Sequence, residues 1–227
     1  MNKDSLNLNS PPGFRCLNPD LPLTMYRRHL PHWRQPGATY FVTFRAADAI
    51  PQQQLQALKR WRSRWERENP EPRRESDWHE FAKEITTRTE RYLDQGYGEC
   101  LFSNTQAAEE MSRTLLYFQD IRLHVGCFAV MHNHVHSVIR PLGEFQLEDV
   151  LESVKGFVSR KVNRLVGRKG KLWEQESFDR IIRDEDHLYR VVQYIGNNPR
   201  KAGYPKSAWV RWIDPSWQDC GWGFRDE

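Results

Sequence analysis

Cysteine is scarce in this chain, and what there is lies scattered. Cys16, Cys100, Cys127 and Cys220 are far apart, with no CxxC spacing among them. That argues against a zinc ribbon and suits a reducing compartment. No stretch approaches a membrane span of roughly 18 apolar residues, and no apolar signal core follows the N-terminus. A cytoplasmic protein with no membrane partner is expected. Internal repeats and low-complexity segments are absent too. Acid and base nearly balance, at a formal charge of +4, so net charge alone names no partner.

The distribution of charge says more. From Lys155 to Lys171 the basic residues are Lys155, Arg160, Lys161, Arg164, Arg168, Lys169 and Lys171, with no acid between them. Such a patch suits a polyanion, or is a solvated helix face. Tryptophan is abundant, and Trp209, Trp212, Trp217 and Trp222 crowd the end of the chain. They are expected to anchor a tail that has no element of its own.

The chain reads as a flexible segment at 1–24, one domain at 25–204 and a Trp-rich tail at 205–227. Tyr40-Phe41-Val42-Thr43-Phe44 is a strand after the turn Gln35-Pro36-Gly37. Pro51 opens a helix with Leu55, Leu58, Trp61 and Trp65 at helical spacing, and Asn69-Pro70 stops it. Residues 71–100 read as a charged, irregular insertion with at most one helix. Asn104 or Thr105 caps the next helix, whose apolar face is Ala107, Met111, Leu115 and Phe118. Paired strands follow around His132–His136, then a helix at about 146–166 and a short strand at 178–182. A last helix starts near Asp184 and is expected to end at Asn198, before Pro199. This order predicts an α+β, ferredoxin-like or RRM-like antiparallel sheet with helices packed on one side.

The run His132-Asn133-His134-Val135-His136 ends an apolar stretch. Residues two apart on a strand share a face, so His134 and His136 aim two imidazoles at one point, as a metal ion requires. His132 has the same parity. On the last helix Tyr194 and Asn198 lie four apart, about 40° around the axis, at the border of the face formed by Leu188, Val191, Val192 and Ile195. His187 and Arg190 extend that stripe. A tyrosine beside a cation is a nucleophile candidate. Taken singly, the pair of histidines also fits packing or a zinc site, the tyrosine fits a core, and an Asn before Pro fits a helix stop.

Four stretches together resemble the HUH single-strand DNA transposases with one catalytic tyrosine, and within them the REP-associated tyrosine transposases. Residues 26–45 look like that family's opening strand, and 92–104 like the lead into its second helix. Met131-His132-Asn133-His134-Val135-His136 is similar to its Met-Pro-Asn-His-Val-His, and 172–203 to its terminal tyrosine helix with the Asn-Pro after it. The resemblance implies the HUH palm as the fold. It implies His134, His136 and Asn198 as ligands of Mg²⁺ or Mn²⁺, and Tyr194 as the nucleophile. The substrate implied is hairpin repeat DNA, cut and rejoined in single-stranded form through a 5′-phosphotyrosine. Lys155, Arg160, Lys161, Arg164, Arg168 and Lys169 are the expected DNA contacts. His132 replaces the family's proline and, with His187 and Arg190, is a candidate for the rim. A nucleoid-associated protein follows, as monomer or homodimer. Competing readings are a metal-dependent hydrolase using the histidine pair, and a domesticated hairpin-binding protein that does not cut.

Overall fold

The computed structural model describes residues 8–225. Residues 1–7 of the expected flexible segment lie outside the described residues. The chain opens with a small hairpin, β1 (Thr24–Arg27) and β2 (Pro31–Arg34). Then come β3 (Tyr40–Arg45), α1 (Gln52–Glu68), α2 (Glu75–Leu93), α3 (Thr105–Tyr117), β4 (Leu123–Val130) and β5 (His134–Pro141). The remainder is α4 (Leu147–Leu165), β6 (Phe178–Ile181), α5 (Glu185–Lys201), β7 (Val210–Ile213) and α6 (Pro215–Asp219).

β6, β3, β5, β4 and β7 form one sheet in that order, antiparallel throughout. The segment β3-α3-β4-β5-α4-β6 traces the split βαβ pattern of a ferredoxin-like fold. The α1–α2 hairpin is spliced between its first strand and first helix, and β7 extends the sheet beyond β4.

Strand alternation sorts the core into two layers. Val42, Phe44, Val135 and Ile139 face α3 and α4, against Met111, Leu115, Val154 and Val158. Phe41, Val138, Cys127 and Ala129 face the other way, against Leu188, Val192 and Ile195 of α5 and Trp217 and Trp222 of the tail. Helices therefore cover both faces, where one was expected. The difference lies in α5, whose apolar stripe needs a face that α3 and α4 do not already occupy.

Two local expectations also change. The 71–100 insertion is mostly one long helix, because Trp78, Phe81 and Ile85 repeat at helical spacing and bury against Trp61 and Trp65 of α1. Pro199 sits inside α5 instead of ending it. In the last turn its missing N–H costs one backbone bond, and Ala202 N, Gly203 N and Tyr204 N still close onto Asn198, Arg200 and Pro199 carbonyls. Asn104 does cap α3, its Oδ1 accepting from Gln106 N at 2.9 Å and Ala107 N at 3.2 Å.

Residues 8–18 are held across the α5 side by the tail. Trp217 Nε1 donates to Pro12 O, and Trp222 Nε1 to Asn9 O, both at 2.8 Å. No helix among the described residues is long and apolar enough to cross a membrane.

Candidate active site

Antiparallel register places Thr43 of β3 opposite His136 of β5, and Arg45 opposite His134. Directly opposed residues share a face, so these side chains point with Phe41 toward α5. His134 and His136 are both buried, and their Nε2 atoms stand 3.0 Å apart. Burial pushes the pKa of His134 down to about 3 and that of His136 well below its ordinary value. Both rings are neutral.

The bond behind His134 fixes its tautomer, and the one behind His136 leaves two open. Asn133 Nδ2 donates to Tyr97 O at 2.9 Å, which orients the amide and leaves Oδ1 to accept from His134 Nδ1 at 2.8 Å. His134 therefore carries its proton on Nδ1, and its Nε2 is a bare lone pair. His136 Nδ1 bonds Thr43 Oγ1 at 2.7 Å, a hydroxyl able to accept as readily as donate. With His136 protonated on Nε2, that nitrogen donates to His134 Nε2 at 3.0 Å; with His136 protonated on Nδ1, two lone pairs converge on one point, an arrangement a cation satisfies.

α5 supplies the other half. Leu188, Val191, Val192 and Ile195 bury its inner face and set its rotation. Tyr194 is thereby laid edge-on to His136, ring centroids 5.2 Å apart at 73°, and to Phe41 at 5.8 Å. Asn198, one turn on, is buried; its Nδ2 donates to Tyr194 O at 3.3 Å, while Oδ1 has no partner. A buried carbonyl oxygen without a donor is costly, and a metal ion would relieve it. Among the described residues no group of three His, Cys, Asp or Glu side chains is placed to hold a metal. A metal here needs an amide as third protein ligand, and the orphaned Asn198 Oδ1 fits that part.

The Tyr194 hydroxyl is sealed from solvent and makes no hydrogen bond of good geometry, although Glu90 and Asn198 both face it. Burial raises its pKa, and the Glu90 charge raises it further. Burial likewise raises the pKa of Glu90 itself. Lys201, on the following turn of α5, adds positive charge near both histidines and pairs with Asp94, the C-cap of α2, at 2.6 Å. α2 thus closes over the tyrosine. Glu90, Thr43, Asn133 and Lys201 were not foreseen. Only Asn133 had a sequence signal, its place between the histidines.

The rim candidates separate. His132 lies in the β4–β5 turn outside β5, half-buried, its ring stacked on Tyr204 at 3.6 Å. Its parity with His134 is lost because the strand begins only at His134. His187 is buried at the start of α5, where its Nδ1 accepts from Arg183 N and its backbone N donates to the cap Asp184. Burial, then Arg180, Arg183 and Arg190, hold its pKa near 4. Arg190 is exposed.

The basic run divides as well. Lys155 is buried, its Nζ donating to Ser177 Oγ at 2.6 Å and to the carbonyls of Glu174 and Gln175. It shapes the loop before β6 and offers no charge to a surface partner, a correction to its expected role. Arg168 is engaged by Glu99 at 2.8 Å. Arg160, Lys161, Arg164 and Lys169 are exposed. α4 lies on the sheet face opposite the histidines, but the turn after it reaches, through Arg168, the 97–99 loop that also holds Asn133.

No protein-family model matches the chain, and no curated protein matches it. Among solved structures it is similar to one described as the REP associates tyrosine transposase bound to a REP hairpin. Identity is 18%, the match covers 81% of this chain and 76% of that one, and the TM-score is 0.38.

Proposed function

We propose that the protein is a metal-dependent transposase and endonuclease of the HUH type. In this reading it binds hairpin repeat DNA and cuts and rejoins single strands through a 5′-phosphotyrosine on Tyr194. One observation carries the reading. The two imidazoles of β5 and the Tyr194–Asn198 stripe of α5, distant in sequence, meet in one buried cluster. Packing alone does not need an orphaned amide oxygen there.

His134, His136 and Asn198 would hold Mn²⁺ or Mg²⁺. Bound there, the ion supplies Lewis-acid stabilisation of charge on a phosphate oxygen. The protein does the rest. Tyr194 Oη bonds to phosphorus as the bond from phosphorus to the 3′ oxygen breaks. The phenol proton passes to Glu90, and the departing oxygen takes a proton from water to leave as a 3′-hydroxyl. Attack by a 3′-hydroxyl on the same phosphorus reverses the step, so bond energy is conserved and no nucleotide cofactor is needed. Arg160, Lys161, Arg164 and Lys169 would grip the hairpin backbone, a contact that weakens with salt.

The test is a covalent-adduct assay with labelled single-stranded oligonucleotides from repeats flanking the gene, in Mn²⁺ or EDTA, resolved on a denaturing gel. A metal-dependent shifted band that Tyr194→Phe abolishes, with hairpin binding retained, is the expected result. Metal-dependent cleavage without an adduct, unchanged in Tyr194→Phe, would make the protein a hydrolase instead.

A further inference from the structure

Between the α1–α2 hairpin and the sheet lies a cavity of about 350 Å³, within the usual range for small-molecule sites, roughly 300–1,000 Å³. Its walls are mainly apolar: Leu55, Leu58, Phe81, Ile85, Leu93 and Phe178. Its inner end is polar and belongs to the site above. Thr43, bonded to His136, and Glu90, facing Tyr194, both line it. Lys59 and Arg62 of α1 also line it, Arg62 paired with Glu66 at 3.0 Å, as do Arg45, Glu174 and Glu176, and Lys59 continues outward into Arg60, Arg64 and Arg67 on the exposed side of the helix.

The placement matters because the reacting groups are otherwise shut in. His134, His136 and Asn198 are buried, and the Tyr194 hydroxyl is sealed. This cavity adjoins both Thr43 and Glu90, so a phosphate coming to Tyr194 can bring its neighbouring nucleotide here. A cavity with apolar walls, an aromatic ring on each of two sides and cations at its mouth suits one chemical group of a DNA strand. That group is an unpaired base, whose planar face stacks while its phosphates remain among the cations.

We infer that the cavity between the α1–α2 hairpin and the sheet is a binding pocket for one unstacked nucleobase of single-stranded DNA. Its position beside the scissile phosphate rests on the tyrosine reading; its chemistry does not. The 71–100 insertion then acquires a role, since α2 forms the outer wall and brings Glu90 to the tyrosine.

The experiment uses the full chain and short single-stranded oligonucleotides of random sequence in which iodouracil replaces thymine. After photocrosslinking, modified peptides are mapped by mass spectrometry, and Tyr194 adducts are scored from the same pool in Mn²⁺. Crosslinks at Phe81 or Phe178 are expected. Leu58→Trp, which fills the cavity, should lose them and weaken single-strand binding about tenfold, the size of one lost stacking contact. Ile121→Ala, on an exposed residue outside the cavity, should leave both nearly unchanged. Crosslinks confined to α4 would overturn the pocket even if Tyr194 adducts form, leaving the transposase reading intact. Cavity crosslinks without any Tyr194 adduct would uphold the pocket and remove the transposase reading. Should Leu58→Trp melt early, the crosslink map of the unaltered chain decides.

Discussion

His134 Nε2 and His136 Nε2 face each other across 3.0 Å with no room for water between them. Asn133 Oδ1 keeps the His134 proton on the far nitrogen. Removing that acceptor frees the ring to turn or change tautomer, without touching a ligand. Asn133→Ala should therefore weaken Mn²⁺ binding about 10- to 100-fold, the usual cost of losing the partner behind a ligating histidine. The double change His134→Ala and His136→Ala should abolish it. Titration followed by Mn²⁺ paramagnetic resonance reads both; equal affinity in all three proteins would remove the metal site.

Glu90 faces the Tyr194 phenol from α2, and burial raises its pKa. As a carboxylate it accepts the phenol proton; as a carboxylic acid it does not. Cleavage should therefore climb as pH rises through the elevated Glu90 value. Glu90→Gln should lower the rate about 100-fold, a typical loss for a general base, and erase that acid limb, with hairpin binding unchanged. A Gln variant that keeps both rate and limb would reduce Glu90 to a cover.

His32 ties the β1–β2 hairpin to β6. Burial disfavours its charge, but Asp179 at 2.6 Å and Glu176 at 3.0 Å outweigh that and raise its pKa to about 9. The folded state therefore binds a proton that the unfolded chain, near 6.5, releases first. The stabilisation is fully present below pH 6.5 and disappears as pH rises through 9; it is on the order of 3 kcal/mol. Urea unfolding at several pH values should show this decline, and His32→Gln should flatten it while lowering stability at pH 6.

What could be read from the sequence was local. Strand parity within residues 134–138 and the four-residue step from Tyr194 to Asn198 depend only on backbone period, and the structure keeps both. The partners across space were hidden. Thr43 meets His136 only through the register of β3 on β5, and Glu90 reaches Tyr194 only because α2 folds back over α5. Lys155 was misread although a signal existed. It shares the buried side of α4 with Leu151 and Val158, so helical spacing sets it apart from the exposed Arg160 and Arg164.

The junction of β4 with the tail rests on a missing side chain. The β4–β5 register slips at Gly126, a bulge that turns Cys127 and Ala129 toward α5 where Leu123 and Val125 face the other layer. A Cβ at Gly126 would stand 2.1 Å from the Trp217 ring. That ring is fully buried and its Nε1 is held by Pro12 O, so it cannot step aside without loss. Gly126→Ala should cost about 1–3 kcal/mol by overpacking, and Trp217→Ala about 3–5 kcal/mol by truncation. The two should not add. Once the indole is gone the new methyl enters vacated space, so the double variant should be no less stable than Trp217→Ala alone. Additive losses in denaturant unfolding would mean that the glycine serves the bulge's backbone and not the ring. If the coupling holds, the same contact sets the position of α5, because Trp217 shares a cluster with Leu188, Val192 and Ile195. Trp217→Ala should then impair Tyr194 adduct formation at temperatures where the chain is still folded.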